Sequence, residues 1–367
     1  MQKIYTGDKV FSGSNFLPDH AIITNDGSII DVLPTVSLPT DCKINFHAHI
    51  VTASFIDTQI YGASERLFAS YPTANSLQLL YEHCLKGGTR CVVPTVATNT
   101  YNVFKQCIDA VREYWKKDGK GVYGLHLEGP WINKVRRGAH IENLIQVPSL
   151  EDVKDLIEYG KGVIKIITLA PEMVDVRVIR FLRSHDIIVS IGHSDATFSQ
   201  AMDGFDNGAH AVTHLFNAMS PLHHRKPGLA AALFQHPQVM SSIIVDGYHV
   251  DFQMISIAKK LLGERLFLIT DAVTESSDSV YQHKFDNDKY ICDGTLSGSA
   301  LTMIQAVINC IIKVGIKEEE ALRMATVYPA RLLGIDGHIG MIRKGYSAAL
   351  TFLDKEWNVL LPEYSSK

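Results

Sequence analysis

The sequence has no basic excess. Thirty-five Lys and Arg stand against 39 Asp and Glu, a formal charge of -4, so there is no surplus with which to collect phosphate backbone by counterion release. Nucleic acid is excluded as an expected partner. Also missing is any run of about 18 apolar residues, the length a membrane span requires, and the opening Met1-Gln2-Lys3-Ile4-Tyr5-Thr6-Gly7-Asp8 carries no apolar signal core. No membrane partner and a cytoplasmic setting are expected. Cysteine is sparse: Cys42, Cys84, Cys91, Cys107, Cys292 and Cys310 lie scattered without a C-x-x-C pair, as reduced, buried thiols do. Low-complexity tracts and internal repeats are absent, which excludes disordered, collagenous and solenoid architectures.

What is present is an ordinary globular composition, 46% hydrophobic and 20% charged over 367 residues, enough for one large domain and a small one. Residues 1 to about 50 alternate short apolar runs with turn residues: Ala21-Ile22-Ile23-Thr24, then Asn25-Asp26-Gly27, then Ile29-Ile30-Asp31-Val32-Leu33, a hairpin signal. Beyond them, apolar runs are separated by segments of helical length (76–87, 101–117, 174–185, 251–262), the rhythm of βα units. Eight strand candidates follow one another: 54–59, 90–95, 122–128, 163–169, 187–193, 209–214, 242–246 and 266–271. Eight suits a closed (β/α)8 TIM-type barrel better than a doubly wound open sheet. Helix-like stretches cover about 299–314 and 318–333, after which the chain returns to short strands. The expected α/β fold is therefore a barrel over 54–335 with a small β-sandwich domain formed by 1–53 and 336–367.

Barrel active sites lie at the C-terminal ends of strands. Four candidate strands end in chemistry-bearing residues: Glu128 after Leu125-His126-Leu127, His193 after Ile191-Gly192, His214 after Val212-Thr213, and Asp271 after Ile269-Thr270. One carboxylate and two imidazoles make a three-ligand site for a divalent metal with a position left for water. A further carboxylate beside it can take a proton from that water and return it to a leaving group. The expected chemistry is metal-dependent hydrolysis. The H-x-H pair His47 and His49 precedes the first barrel strand and is read as part of the small sheet, while His223-His224 shapes a binding loop.

The motifs Leu125-His126-Leu127-Glu128-Gly129-Pro130-Trp131, Thr168-Leu169-Ala170-Pro171-Glu172, Gly192-His193-Ser194-Asp195-Ala196-Thr197, Thr213-His214-Leu215-Phe216-Asn217-Ala218-Met219, Asp246-Gly247-Tyr248-His249-Val250-Asp251, Thr270-Asp271-Ala272 and Gly294-Thr295-Leu296-Ser297-Gly298-Ser299 give the chain its resemblance. It resembles, over essentially its whole length, the N-acetylglucosamine-6-phosphate deacetylase family of the amidohydrolase superfamily. The resemblance implies hydrolysis of the N-acetyl group to give glucosamine 6-phosphate and acetate, in amino-sugar metabolism. Glu128, His193 and His214 would hold one divalent metal per subunit, with zinc expected and iron, manganese or cobalt compatible with the same ligands. Asp271 would be the acid/base, and His140 would polarise the acetyl carbonyl. Where the superfamily carries H-x-H on the first strand, this chain has Gln59 and Tyr61, so Gln59 would reach the metal at most through water. Ala139, Asn217, Ala218 and Leu296, Ser297, Gly298 and Ser299 would hold the sugar phosphate. Arg225 and His249 would hold its phosphate from the neighbouring subunit of a homodimer.

Two other readings stay open at this level. One changes the amide, for instance to N-acetylgalactosamine 6-phosphate; the other is a non-catalytic sugar-phosphate-binding barrel. The segment 273–293, rich in Ser, Asp and Tyr, carries no motif and reads equally as a flap over the substrate or as a surface insertion.

Overall fold

The computed structural model describes residues 1–362 except Asp278. The Asp26-Gly27 turn does what its residue types allow. Both residues adopt positive φ (47° and 80°), as a two-residue hairpin turn matched to strand twist demands, and Asn25 pairs with Ser28 across it. The hairpin belongs to one six-stranded sheet, in the order Val359–Leu360, Leu350–Leu353, Phe46–Ala53, Gln2–Phe11, Phe16–Asn25, Ser28–Pro34. The two ends of the chain thus meet as expected, with Leu350 opposite Ala53 and Leu353 opposite Ile50. Val10, Ile22, Ile29, Val51, Ile342 and Phe352 form its own apolar cluster.

All eight expected barrel strands are present: Phe55–Ile60, Thr89–Ala97, Leu125–Glu128, Ile164–Leu169, Ile188–Ile191, Ala211–Val212, Met240–Ile243 and Leu266–Leu268. Each lies parallel to its sequence neighbours. The first and last close on each other through the Ile60–Ala272 bridge and the Asp271 amide, which donates to the Gln59 carbonyl at 2.9 Å. Asp57 reinforces the seam, accepting from the Thr270 hydroxyl at 2.5 Å and from the Gln59 amide at 3.1 Å.

The interior of the barrel is layered. Ile56, Cys91, Val93 and Ile166 pack with Ala330, Leu333 and Ile335 as an apolar plug. Above it, hydroxyls and one imidazole hydrogen-bond across strands: His126 Nε2 to Thr168 Oγ1 at 2.8 Å, Thr168 Oγ1 to Thr213 Oγ1 at 2.8 Å, and Ser190 Oγ to Thr213 Oγ1 at 2.6 Å. Period-two alternation sends His126 and Glu128 inward and leaves Leu125 and Leu127 in the main core between strands and helices.

The surrounding helices begin where hydroxyl or carboxylate caps are available. Thr100 accepts from the Val103 amide and Asp251 from that of Gln253. The expected helix over 318–333 is two, Glu318–Ala325 and Val327–Leu332, because Pro329 has no amide to bond the preceding turn and is tolerated only in a first turn. That over 299–314 begins at Met303, since Thr295–Ser299 is a strand. No helix among the described residues is long and apolar enough to cross a membrane.

Candidate active site

The four strand-end residues converge on the barrel mouth, and the backbone is bent to bring them there. His193, His214 and Asp271 have φ of 48°, 35° and 53°, a left-handed region in which a side chain bearing a Cβ is held only at a cost. All three turn out of their strands two or three positions past the last paired residue. Glu128 alone stays on its strand.

Glu128 Oε1 lies 3.2 Å from His214 Nε2 and 3.4 Å from His193 Nε2, and the two nitrogens are 3.1 Å apart. Three ligands at about 2.0–2.1 Å from a tetrahedral ion would be separated by about 3.3 Å, so the three atoms fit a divalent metal. Tautomers decide which imidazole suits the role. The ring Nδ1 of His193 lies 3.0 Å from the Arg136 carbonyl, which only accepts, so Nδ1 carries the hydrogen and Nε2 offers its lone pair. His140 also falls within 4.8 Å of Glu128 and His193 by its nearest ligand atoms. Its Nδ1, however, accepts from the Thr98 amide at 3.3 Å, so its Nε2 carries the hydrogen, pointing at Glu128 Oε2 3.1 Å away. That makes His140 a hydrogen-bond donor at the cluster rather than a ligand. His214 Nδ1 is buried with no hydrogen-bond partner among the described residues.

The electrostatics agree with this division. Burial alone would raise the Glu128 carboxyl, yet the charge and hydrogen bonds of His193, His140 and His214 hold it well below the usual carboxylate range. Burial and the neighbouring His193 push His140 down to about 4, so it is neutral at neutral pH. Asp271 is raised by burial and by Glu128, against the opposing pull of His214, His249 and His193. Its carboxyl stands 3.3 Å from the Tyr61 hydroxyl, which donates to Glu128 Oε2 at 2.5 Å. Gln59 Nε2 donates directly to Glu128 Oε1 at 2.9 Å and to Tyr61 at 2.8 Å. The two residues at the H-x-H positions therefore brace the carboxylate.

A cavity of about 240 Å³ opens over this cluster, lined by Ala139, Asn217, Ala218, Leu296, Ser297 and Gly298 among the expected residues. Gly298, at φ 111°, is required there: a Cβ would stand 3.0 Å from the Asp271 carbonyl oxygen. Ser299 is corrected. It does not line the cavity, because its Oγ donates to the Thr270 carbonyl and its amide to that of Asp271.

His249 is also corrected. It lies in its own chain's cavity, where Asp246 accepts from the amides of Tyr248 and His249 and pairs with the His249 ring at 2.6 Å, folding that segment back over its own barrel. Arg225 is exposed and lines a different hollow with Arg136, Asp195 and Leu222, so it is not brought to the site of its own chain. His47 and His49 sit on the small sheet, both paired with Asp8. His223 and His224 are exposed in a loop.

Sequence reasoning passed over Thr98, Tyr281 and His283. Thr98 ends the second barrel strand's apolar run, and inspection of that strand end would have found it. The segment 273–293 is no surface insertion at its start or its centre: Val273, Tyr281 and His283 are buried and line the cavity, and Tyr281 donates to the Thr98 carbonyl at 2.7 Å.

Residues 44–366 match the Amidohydrolase family. The chain belongs to that family. It is 31% identical to N-acetylglucosamine-6-phosphate deacetylase of Haemophilus influenzae (96% of this chain, 95% of the relative). It is likewise 31% identical to N-acetylgalactosamine-6-phosphate deacetylase of Shewanella sp. (97% and 93%). Among solved structures, N-acetylglucosamine-6-phosphate deacetylase from Pasteurella multocida superposes with a TM-score of 0.94 at 32% identity, covering 98% of this chain and 97% of that one.

Proposed function

We propose that this protein is a metal-dependent deacetylase that hydrolyses N-acetylglucosamine 6-phosphate to glucosamine 6-phosphate and acetate. The observation that carries the reading is the division of labour in one cavity: the Nε2 lone pair of His193 and the Nε2 of His214 beside Glu128, a hydrogen-bond donor in His140, and a second, raised carboxyl in Asp271.

Glu128, His193 and His214 hold a divalent ion, for which zinc is the preferred assignment. Bound there, the ion supplies Lewis-acid polarisation and lowers the pKa of water. Asp271 accepts the proton of the attacking water and hands it to the departing sugar amine. His140, kept neutral by burial, donates from Nε2 to the carbonyl oxygen as negative charge develops on it. His249, held by Asp246, and Arg225 from a second copy of the chain bind the phosphate, Arg being suited to bidentate contacts. The assembly is then a homodimer working in the cytoplasm, with a small domain of 1–53 and 336–367 beside the barrel of 54–335.

Acetate release from N-acetylglucosamine 6-phosphate by the purified protein tests the reading, with metal content determined on the same sample. Turnover with about one equivalent of metal supports it; a metal-loaded protein that releases no acetate refutes it. A second reading, deacetylation of N-acetylgalactosamine 6-phosphate, is supported by one observation: a relative named for that sugar is as identical to this chain, at 31%, as one named for N-acetylglucosamine 6-phosphate.

A further inference from the structure

Relatives named for the two epimeric sugars overlap in identity, at 30–34% and 29–31%, so the choice between the sugars falls to individual groups in the cavity. The floor is ionic, formed by Glu128, His193, His214 and Asp271. The roof is formed by the segment that carries no motif. There His283 is 7% exposed and lines the cavity. Its Nδ1 is 2.9 Å from Ser297 Oγ, and its Nε2 has no hydrogen-bond partner among the described residues.

Three features suit that nitrogen to a hydroxyl group. Burial holds the ring down at about 4, so at neutral pH it is uncharged and offers one directional hydrogen bond, where a phosphate would favour a cation. The ring is also held in place. Tyr281 stacks parallel to it, with centroids 6.1 Å apart and planes 7° from coplanar, and Tyr281 is itself tied to Thr98, the residue that orients His140. Finally, Ser297 and Gly298 connect the roof directly to Asp271 through the Thr295–Ser299 strand, so a sugar touching His283 is registered against the acid/base.

We propose that His283 is a specificity-determining residue, whose Nε2 hydrogen-bonds a ring hydroxyl of the amino-sugar phosphate and sets the preference between the 4-epimers. Ser297 is its positioning residue. This rests on the deacetylase reading above, and the test separates the two.

The experiment compares kcat/KM of the parent, His283→Ala and His283→Gln for N-acetylglucosamine 6-phosphate, N-acetylgalactosamine 6-phosphate and the 3-deoxy and 4-deoxy analogues of the former, with inorganic phosphate as a competitive probe. A neutral hydrogen bond predicts a loss of about three- to tenfold in His283→Ala on the preferred epimer. The other epimer loses less, so the ratio between them falls. One deoxy analogue should be penalised in the parent and not in the variant. His283→Gln, which keeps a hydrogen-bonding group, should recover part of the ratio, and inhibition by phosphate should be unchanged. An epimer ratio and deoxy penalties equal in parent and His283→Ala overturn the proposal while leaving the deacetylase reading intact, and so does a ratio that moves only with phosphate affinity. A parent that hydrolyses none of the sugars overturns both.

Discussion

The floor and the roof of the cavity are built on different terms. The floor residues Glu128, His193, His214 and Asp271 stand at the ends of barrel strands locked to their neighbours on both sides, and three of them occupy left-handed backbone. The roof residues Tyr281 and His283 stand on a segment leading into a three-stranded antiparallel sheet, Lys284–Asp286, Lys289–Cys292 and Thr295–Ser299. Segment and sheet meet the barrel and its loops through Tyr281 to Thr98, Ser279 to Ser70, Thr274 to Glu65 and Ser299 to Thr270 and Asp271, and Tyr281 packs on Leu67. The floor can hold reacting groups in strained geometry because the barrel over-determines it. The roof can vary without disturbing the barrel, and is suited to select a substrate.

That contrast breaks most visibly at Asp271. Asp271→Asn keeps the shape and removes the base, and kcat should fall by about 10²–10⁴ with metal content unchanged; a variant that also loses its metal would show Asp271 to be a ligand instead. His140→Gln comes next. Loss of one aligned donor should cost about 10²–10³ in kcat, and a change in KM alone would remove His140 from the reaction. Tyr281→Phe tests the roof. Losing the bond to Thr98 should destabilise the protein by about 1 kcal/mol and raise KM several-fold with kcat nearly kept, as steady-state kinetics and thermal unfolding would report. If kcat falls as far as KM rises, roof and floor are one unit.

The effect that leaves activity at neutral pH untouched is a pH dependence of stability. His283 is held at about 4 when folded against an ordinary value near 6.5. A depressed folded pKa contributes stability that is fully present above about 6.5 and lost as pH falls toward 4, because the unfolded chain takes up the proton first. Between pH 7 and pH 5 the parent should lose roughly 1–2 kcal/mol more than His283→Gln, measured by denaturant unfolding; equal losses would mean that the ring titrates normally.

The floor was legible in the sequence because strand periodicity marks where an apolar run stops, and a polar residue at that stop in a barrel has few other uses. Glu128, His193, His214 and Asp271 were picked out in this way, once the count of eight strands had pointed to a barrel. The tautomers that separate His140 from the ligands were not, since they depend on the Thr98 amide and the Arg136 carbonyl, two backbone atoms that no side-chain pattern encodes. That His249 lines the cavity of its own chain was not legible for a similar reason: a segment that folds back on Asp246 looks the same in sequence as one that reaches outward. The roof was only half legible, as one of two equal readings of 273–293. Its Ser- and Asp-rich composition is that of a surface loop, and Tyr281 and His283 carry no period to show that they point inward.

The terminal sheet has a consequence for how the chain is made. Phe46–Ala53 leaves the ribosome early, pairs with Gln2–Phe11 on one side, and keeps its other edge bare until Leu350–Leu353 arrives. Every barrel strand is synthesised in between. A bare strand edge flanked by buried Ile50 and Val51 invites pairing with another chain. A chain interrupted anywhere in the barrel therefore carries an adhesive edge that Leu350–Leu353 would cover, and nascent or truncated copies are the form most exposed to aggregation and to disposal.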